Sequence, residues 1–223
     1  MLKRAFDVAF ASLALLAMLP LLLVAAIAIK LDTRGPLLYR ARRAGLHGRP
    51  FDVLKLRTMR VGSDASAQYV TAEDDDRVTR IGRVLRRFKL DELPQFWNVL
   101  VGEMSVVGPR PETWDFVQQH YTERWRRTLD VRPGIASSTD IRWYPDLTYH
   151  DPPPAGVPVQ EHYLRHHMPV QLEESLSYID RQSFLHDLRL VAQLAWCVLV
   201  RSWLPPERRP LDRPAGADPG ARR

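Results

Sequence analysis

Residues 8–29 form an uncharged, largely aliphatic run of 22 residues, with Lys3, Arg4 and Asp7 before it and Lys30 after it. As a straight helix the run is about 33 Å long, enough to cross a bilayer core of about 30 Å. Pro20 stands in its middle. A proline inside a helix removes a backbone donor and kinks the axis, which leaves arms of about 18 and 15 Å, each too short to cross alone. Basic residues flank both ends, and positive flanks favour the cytoplasmic side, so the expected form is a re-entrant helix-break-helix. A single span is the default that Pro20 argues against. A cleaved signal peptide, with Ala26-Ile27-Ala28 as a small-x-small site, fits less well because the run is long for such a segment.

Beyond this run, 223 residues leave room for one core of ordinary size plus a tail. The expected division is a membrane hairpin over 1–30, a catalytic domain at the membrane surface over 31–204, and a disordered tail over 205–223, rich in Pro, Gly, Ala and Arg. A net charge of +6 calls for an anionic partner, and nucleic acid, anionic lipid and a nucleotide diphosphate all qualify on charge alone. The single Cys197 excludes an intramolecular disulfide and suits a reducing compartment.

Residues 30–60 are abruptly basic. Gly35-Pro36 and Gly48-Arg49-Pro50 are turn signals, and Leu37-Leu38-Tyr39 and Phe51-Asp52-Val53-Leu54 read as strands of a small β-hairpin. Headgroup attraction accounts for Arg40, Arg42, Arg43 and Arg49. The stretch 61–76, with Glu73-Asp74-Asp75-Asp76, reads as a solvated loop, with a lid as one use for it. From Thr79 a helix is expected, with Ile81, Val84, Leu85 and Phe88 on one face and Arg80, Arg83, Arg86, Arg87 and Lys89 on the other.

Two adjacent carboxylates, Asp91 and Glu92, follow. Pro94 is tolerated only in a first turn, so a helix should begin here, with Phe96, Trp97 and Leu100 behind it and Asp91 as its N-cap. Capping is a sufficient role for such an aspartate. A helix start also attracts phosphate, and a carboxylate held beside a bound phosphate can act as a nucleophile.

Further on, Gly108-Pro109-Arg110-Pro111 fixes the backbone on both sides of Arg110 after a short Val106-Val107 strand, and 112–129 reads as one amphipathic helix. His162 and His166 share the i,i+4 spacing of a metal pair. Without an H-E-x-x-H pattern, solvated or interfacial histidines are the expectation for His162, His166 and His167. Residues 176–204 read as an amphipathic helix lying on lipid. The fold class expected is therefore α+β, mainly helical, with a re-entrant membrane segment, a β-hairpin and interfacial helices.

The ordered motifs resemble one family. Lys3-Arg4-Ala5-Phe6-Asp7, Gly35-Pro36, Phe51-Asp52-Val53-Leu54-Lys55-Leu56-Arg57-Thr58-Met59, Arg77-Val78-Thr79-Arg80-Ile81-Gly82, Lys89-Leu90-Asp91-Glu92-Leu93-Pro94, Gly108-Pro109-Arg110-Pro111 and Val131-Arg132-Pro133-Gly134-Ile135 are similar to those of bacterial sugar transferases of the monotopic phosphoglycosyl transferase type. They cover residues 3–135, and a weaker match runs on to about residue 192. The resemblance implies transfer of a sugar 1-phosphate from a UDP-sugar to undecaprenyl phosphate with release of UMP, at the cytoplasmic face of the bacterial inner membrane, as the first membrane step of surface-glycan synthesis. It implies Asp91 as nucleophile, Glu92 as the Mg²⁺ ligand, and Lys55, Arg57, Arg86 and Arg110 as phosphate-binding cations, with anionic lipid but no nucleic acid as a further partner. Two departures stand out: Leu19 replaces the serine that commonly precedes the proline of the membrane break, and Ala136-Ser137-Ser138-Thr139-Asp140-Ile141 replaces a Gly-Trp pair, leaving sugar contacts unassigned. Neither the sugar, the glycan pathway nor the choice between monomer and homodimer can be read from these residues. The alternatives are a membrane-anchored glycosyltransferase releasing UDP, a non-enzymatic basic module on lipid or nucleic acid, and a structural subunit of a glycan exporter.

Overall fold

The computed structural model describes residues 2–62, 75–144 and 151–204. It is α+β and mainly helical. The elements in order are α1 (Leu2–Asp32), β1 (Leu38–Ala44), β2 (Pro50–Leu56), α2 (Arg80–Arg87), a 3-10 turn (Leu90–Glu92), α3 (Gln95–Val101), β3 (Ser105–Val107) and α4 (Trp114–His120). They continue with α5 (Glu123–Arg126), β4 (Gly134–Ala136), α6 (Ser138–Arg142), α7 (Val159–His162), a π turn (Tyr163–His167), α8 (Met168–Asp180) and α9 (Phe184–Leu199).

The apolar run lies in α1, a single 31-residue helix with Pro20 inside it, long and apolar enough to cross a membrane. Its two ends are held by the rest of the protein while its middle is bare. At the start, the Asp7 carboxylate accepts from Ser105 Oγ at 2.9 Å and Val106 N at 2.9 Å. Lys3 donates to Val107 O at 3.0 Å and pairs with Asp187. Arg4 donates to Val99 O and Leu100 O, where a cation offsets the negative end of α3. At the other end Ala25 and Ile29 pack with Leu56 and Leu85, and Asp32 accepts from Ile81 N. Between these anchors Leu13, Leu16, Leu19 and Leu23 are exposed.

Strands β1 and β2 pair antiparallel from Leu38 opposite Leu56 to Ala44 opposite Pro50, longer than the sequence signals indicated. The loop between them reverses through His47 and Gly48, both at positive φ. Asn98 of α3 then docks on the open edge of β2: its Oδ1 accepts from Leu54 N at 3.0 Å and its Nδ2 donates to Asp52 O at 2.8 Å. A buried amide matched this way replaces a missing strand neighbour and fixes α3 against the hairpin.

The expected Val106-Val107 strand is present as β3, and it pairs parallel with β4, which the sequence did not announce. Two motif glycines meet there. A Cβ on Gly134 would lie 2.0 Å from Gly108 N, and one on Gly108 would lie 2.5 Å from Arg132 O, so each turn admits the other only without side chains. The main core gathers Ala11, Val53, Val99, Val107 and Tyr178 from α1, β2, α3, β3 and α8, with Met104 from the turn ahead of β3.

Three expectations are corrected. The helix expected over 112–129 is interrupted after His120, because Thr122 adopts an extended conformation and caps α5 by accepting from Trp125 N. The helix expected over 176–204 is divided between α8 and α9, since Ser183 caps a new start by accepting from His186 N. The histidines are not solvated as a group: His162 and His167 are buried. The expected loop at 61–76 falls mostly on 63–74, outside the described residues, as does the tail at 205–223. Cys197 is free and buried.

Candidate active site

Asp91 and Glu92 are not the N-cap of α3. They lie in the separate 3-10 turn that precedes it, and the position before Gln95 is Pro94, which has no capping side chain. The chain is turned into this position by Lys89, a non-glycine residue held at φ 52°, a conformation that disfavours side chains and recurs where function over-determines the backbone. Thr79 caps α2 by accepting from Gly82 N, and the helix then runs to Arg87 just ahead of the turn.

Four cations converge on the pair. Lys55, from β2, donates to Glu92 Oε1 at 2.9 Å. Arg86, from the last turn of α2, donates to Thr58 Oγ1 at 2.9 Å and acts on Asp91 by its charge. Lys89 and Arg110 both reach a third carboxylate, Asp140, at 3.3 and 2.6 Å. Asp140 is buried at the start of α6, where Ser137 caps the helix by accepting from Asp140 N and also donates to its carboxylate.

The three carboxylates are driven in different directions. Burial pushes Asp91 above the usual carboxylate range, with Glu92 beside it adding to the rise and Lys55, Arg86 and Lys89 opposing it. Burial also opposes ionisation of Glu92, but Lys55, Lys89 and Arg110 outweigh it and hold that carboxyl well below the usual range. Asp140 is likewise held low, since Arg110 and Lys89 overcome its burial. Glu92 and Asp140 are therefore fixed anions. Asp91 is the carboxylate whose charge its surroundings satisfy least: it is 7% exposed, and among the described residues it accepts no hydrogen bond.

Lys55, Arg86, Arg110, Asp91 and Glu92 are thus brought together. Arg57 lies apart from them. Its guanidinium is buried and donates to Pro36 O, Arg34 O, Thr33 O and Thr33 Oγ1, so its donors are occupied in pinning the loop after α1. Arg43 also departs from a headgroup role by donating to Thr113 Oγ1. Two site members escaped the sequence reading, Lys89 as a cation of the cluster and Asp140 as its third anion. The Ser137-x-x-Asp140 spacing is a helix-start signature that would have placed Asp140 on a cap, though not facing Arg110. A groove of about 530 Å³ lined by Arg40, Arg42, Asp52, Trp97 and Glu103 does not include the pair, so the assignment rests on charge and chemistry, not on concavity.

The donor set also fits a hard divalent ion. Carboxylate oxygens beside a phosphate are what Mg²⁺ takes, and Glu92 is ionised with only Oε1 engaged by Lys55. A carboxylate of raised basicity, ringed by cations able to hold phosphate oxygens, is in its ionised form equipped to attack phosphorus.

Comparison with known proteins gives the family. Residues 1–201 match the family described as bacterial sugar transferase. The chain is 46% identical over 143 residues to the UDP-glucose:undecaprenyl-phosphate glucose-1-phosphate transferase of Caulobacter vibrioides, covering 63% of this chain and 53% of that protein. It is 56% identical over 149 residues to the undecaprenyl-phosphate glucose phosphotransferase of Komagataeibacter xylinus, covering 62% and 27%. It is 43% identical over 122 residues to a Bacillus subtilis protein described as a putative undecaprenyl-phosphate N-acetylgalactosaminyl 1-phosphate transferase, covering 55% and 68%. The matched segments span about half or less of the first two relatives.

Proposed function

The chain belongs to the bacterial sugar transferase family, and from that premise we propose that it transfers a sugar 1-phosphate from a UDP-sugar to undecaprenyl phosphate by way of Asp91. The Asp91 carboxylate attacks the sugar-side phosphorus, the bond to the bridging oxygen breaks, and UMP leaves with that oxygen. The aspartyl-phosphosugar is then attacked by a phosphate oxygen of undecaprenyl phosphate, which restores the carboxylate and gives the diphosphate-linked product. The observation that carries this reading is Asp91 itself, buried among cations and, among the described residues, without a hydrogen-bond donor to settle its charge.

Arg86 and Lys55 neutralise the phosphate under attack, while Lys89 and Arg110, oriented by Asp140, hold the remaining phosphate oxygens. Glu92 would hold Mg²⁺, which when bound neutralises charge on the diphosphate. Arg57 is kept out of the binding set, because its donors are committed to the 33–36 loop.

Membrane placement follows from α1. Both of its ends are fastened to the same body and its exposed apolar middle contains Pro20, which supports a shallow seat in one leaflet with the site at headgroup depth. Removal of a signal peptide after Ala28 would strip Asp7 and Ala11 from the core. Exposed Leu185, Leu188, Trp196, Leu199 and Trp203 give α9 and the turn after it a face suited to the same interface, on the cytoplasmic side of the inner membrane. The step is the first membrane reaction of a surface-glycan pathway.

The test is UMP release from a panel of UDP-sugars, with intact-mass measurement after donor alone. Wild type should release UMP and gain one sugar phosphate, and Asp91→Asn should do neither. Release of UDP would move the protein to the glycosyltransferase class.

A further inference from the structure

Away from the site, Asp151, His162 and His167 are drawn together by an unusual piece of backbone. Residues five apart on an α-helix are separated by about 140° around the axis and cannot share a partner. Between α7 and α8 the chain instead makes a π turn, Tyr163–His167, whose i→i+5 pattern brings His162 and His167 to one side. Their Nε2 atoms converge on the same two oxygens. His162 Nε2 lies 2.9 Å from Asp151 Oδ2 and 3.1 Å from Asp151 O, and His167 Nε2 lies 2.9 Å from Asp151 O and 3.3 Å from Asp151 Oδ2. The two rings are nearly perpendicular, at 84°, so the two nitrogens approach from different directions.

We propose that these residues form a binding site for a divalent transition metal of the Zn²⁺ class, separate from the hard-cation position at Glu92. Two imidazole nitrogens and a carboxylate oxygen lie within 4.8 Å of one another, and the Asp151 carbonyl supplies a fourth donor. Ligands at Zn²⁺ bond lengths of about 2.0–2.2 Å in a tetrahedron stand about 3.3 Å apart, so the nitrogen-to-oxygen separations need open by only a few tenths of an ångström. Imidazole donors select Zn²⁺ and its neighbours over Mg²⁺, which takes oxygen. Asp151 is 34% exposed and gives an ion a way in, while both histidines are closed off.

The site would fasten the segment beginning at Asp151 to the π turn. That turn also carries Tyr163, whose hydroxyl donates to Glu112, two residues from Arg110. A metal here would brace the helical lobe behind the catalytic cations.

The experiment uses the full untagged chain, purified in detergent with chelator, then titrated with Zn²⁺ and with Co²⁺ as a coloured probe. The expected result is one Zn²⁺ per chain at sub-micromolar Kd, a four-coordinate visible Co²⁺ spectrum, no displacement by millimolar Mg²⁺, and a Tm gain of about 5–10 °C at a hundredfold excess over Kd. His162→Gln and Asp151→Asn keep polar groups in place and should fold, yet lose at least about tenfold in Zn²⁺ affinity together with the Tm gain. Wild type that binds no Zn²⁺ below about 10 μM, or variants that bind it as wild type does, would overturn the proposal: the two rings would then simply donate to Asp151.

Discussion

Two clusters of buried charge flank the short helix α3, and they are built to opposite ends. Beyond its C-terminus, Lys3, Arg4 and Asp7 meet Asp187, the Ser105 hydroxyl and the closing carbonyls of α3, so their charges are directly matched. Ahead of its N-terminus, the cations balance Glu92 and Asp140 but leave Asp91 raised above its ordinary range. Both clusters contain a lysine, an arginine and an aspartate from a short motif. A buried charge with directed partners fastens the chain, whereas one left without a donor is held ready for chemistry.

The largest test of this contrast is Asp91→Asn, which should lower UMP release by at least about 10³-fold. Its Tm should not fall. A carboxyl raised in the folded state contributes stability that is fully present below the unfolded value and lost as pH rises through the folded one, and asparagine mimics the neutral form. A clear drop in Tm with turnover retained would make Asp91 an anchor like Asp7.

Asp7→Ala should do the reverse. Stranding the Ser105 hydroxyl and Val106 N–H costs about 2–4 kcal/mol, or a Tm loss of about 5–15 °C by calorimetry, while kcat per folded molecule stays within about twofold. Asp140→Asn sits between the two. Losing the anion that orients Lys89 and Arg110 should raise KM for the UDP-sugar about tenfold with a smaller change in kcat, read from initial rates. The smallest effect should come from Lys55→Gln. Its charge holds both Asp91 and Glu92 down, so removing it raises them, and the acid limb of kcat/KM should move to higher pH.

Much of the secondary structure was legible because its causes are local. Thr79 capping a helix with an apolar stripe and turn signals around two strands act over a few residues, and α2 and the hairpin followed. The apolar run is likewise helical, though as one continuous element and not as the helix-break-helix expected around Pro20. What failed was decided by partners remote in sequence or by caps embedded in an amphipathic pattern: Thr122 and Ser183 divide segments whose periodicity alone runs on. In the site, Asp91, Glu92, Lys55, Arg86 and Arg110 were singled out through the resemblance, whereas Lys89 stands in a quoted motif without a role assigned to it and Asp140 stands in none. Nothing near Asp140 in the chain records that Arg110 will lie against it.

The amino-acid order by itself determined an apolar helix flanked by charge, a basic hairpin and a carboxylate pair before a proline, since each follows from propensities acting over one or two turns. Only the tertiary structure decided which charges are used up and which are not. Arg57 and Arg110 stand in equally conspicuous motifs, yet one is enclosed by the carbonyls of a loop and the other faces the acidic cluster. That difference depends on which donors and acceptors arrive from distant segments, and burial sets the energy at stake by removing the water that would otherwise have satisfied either one.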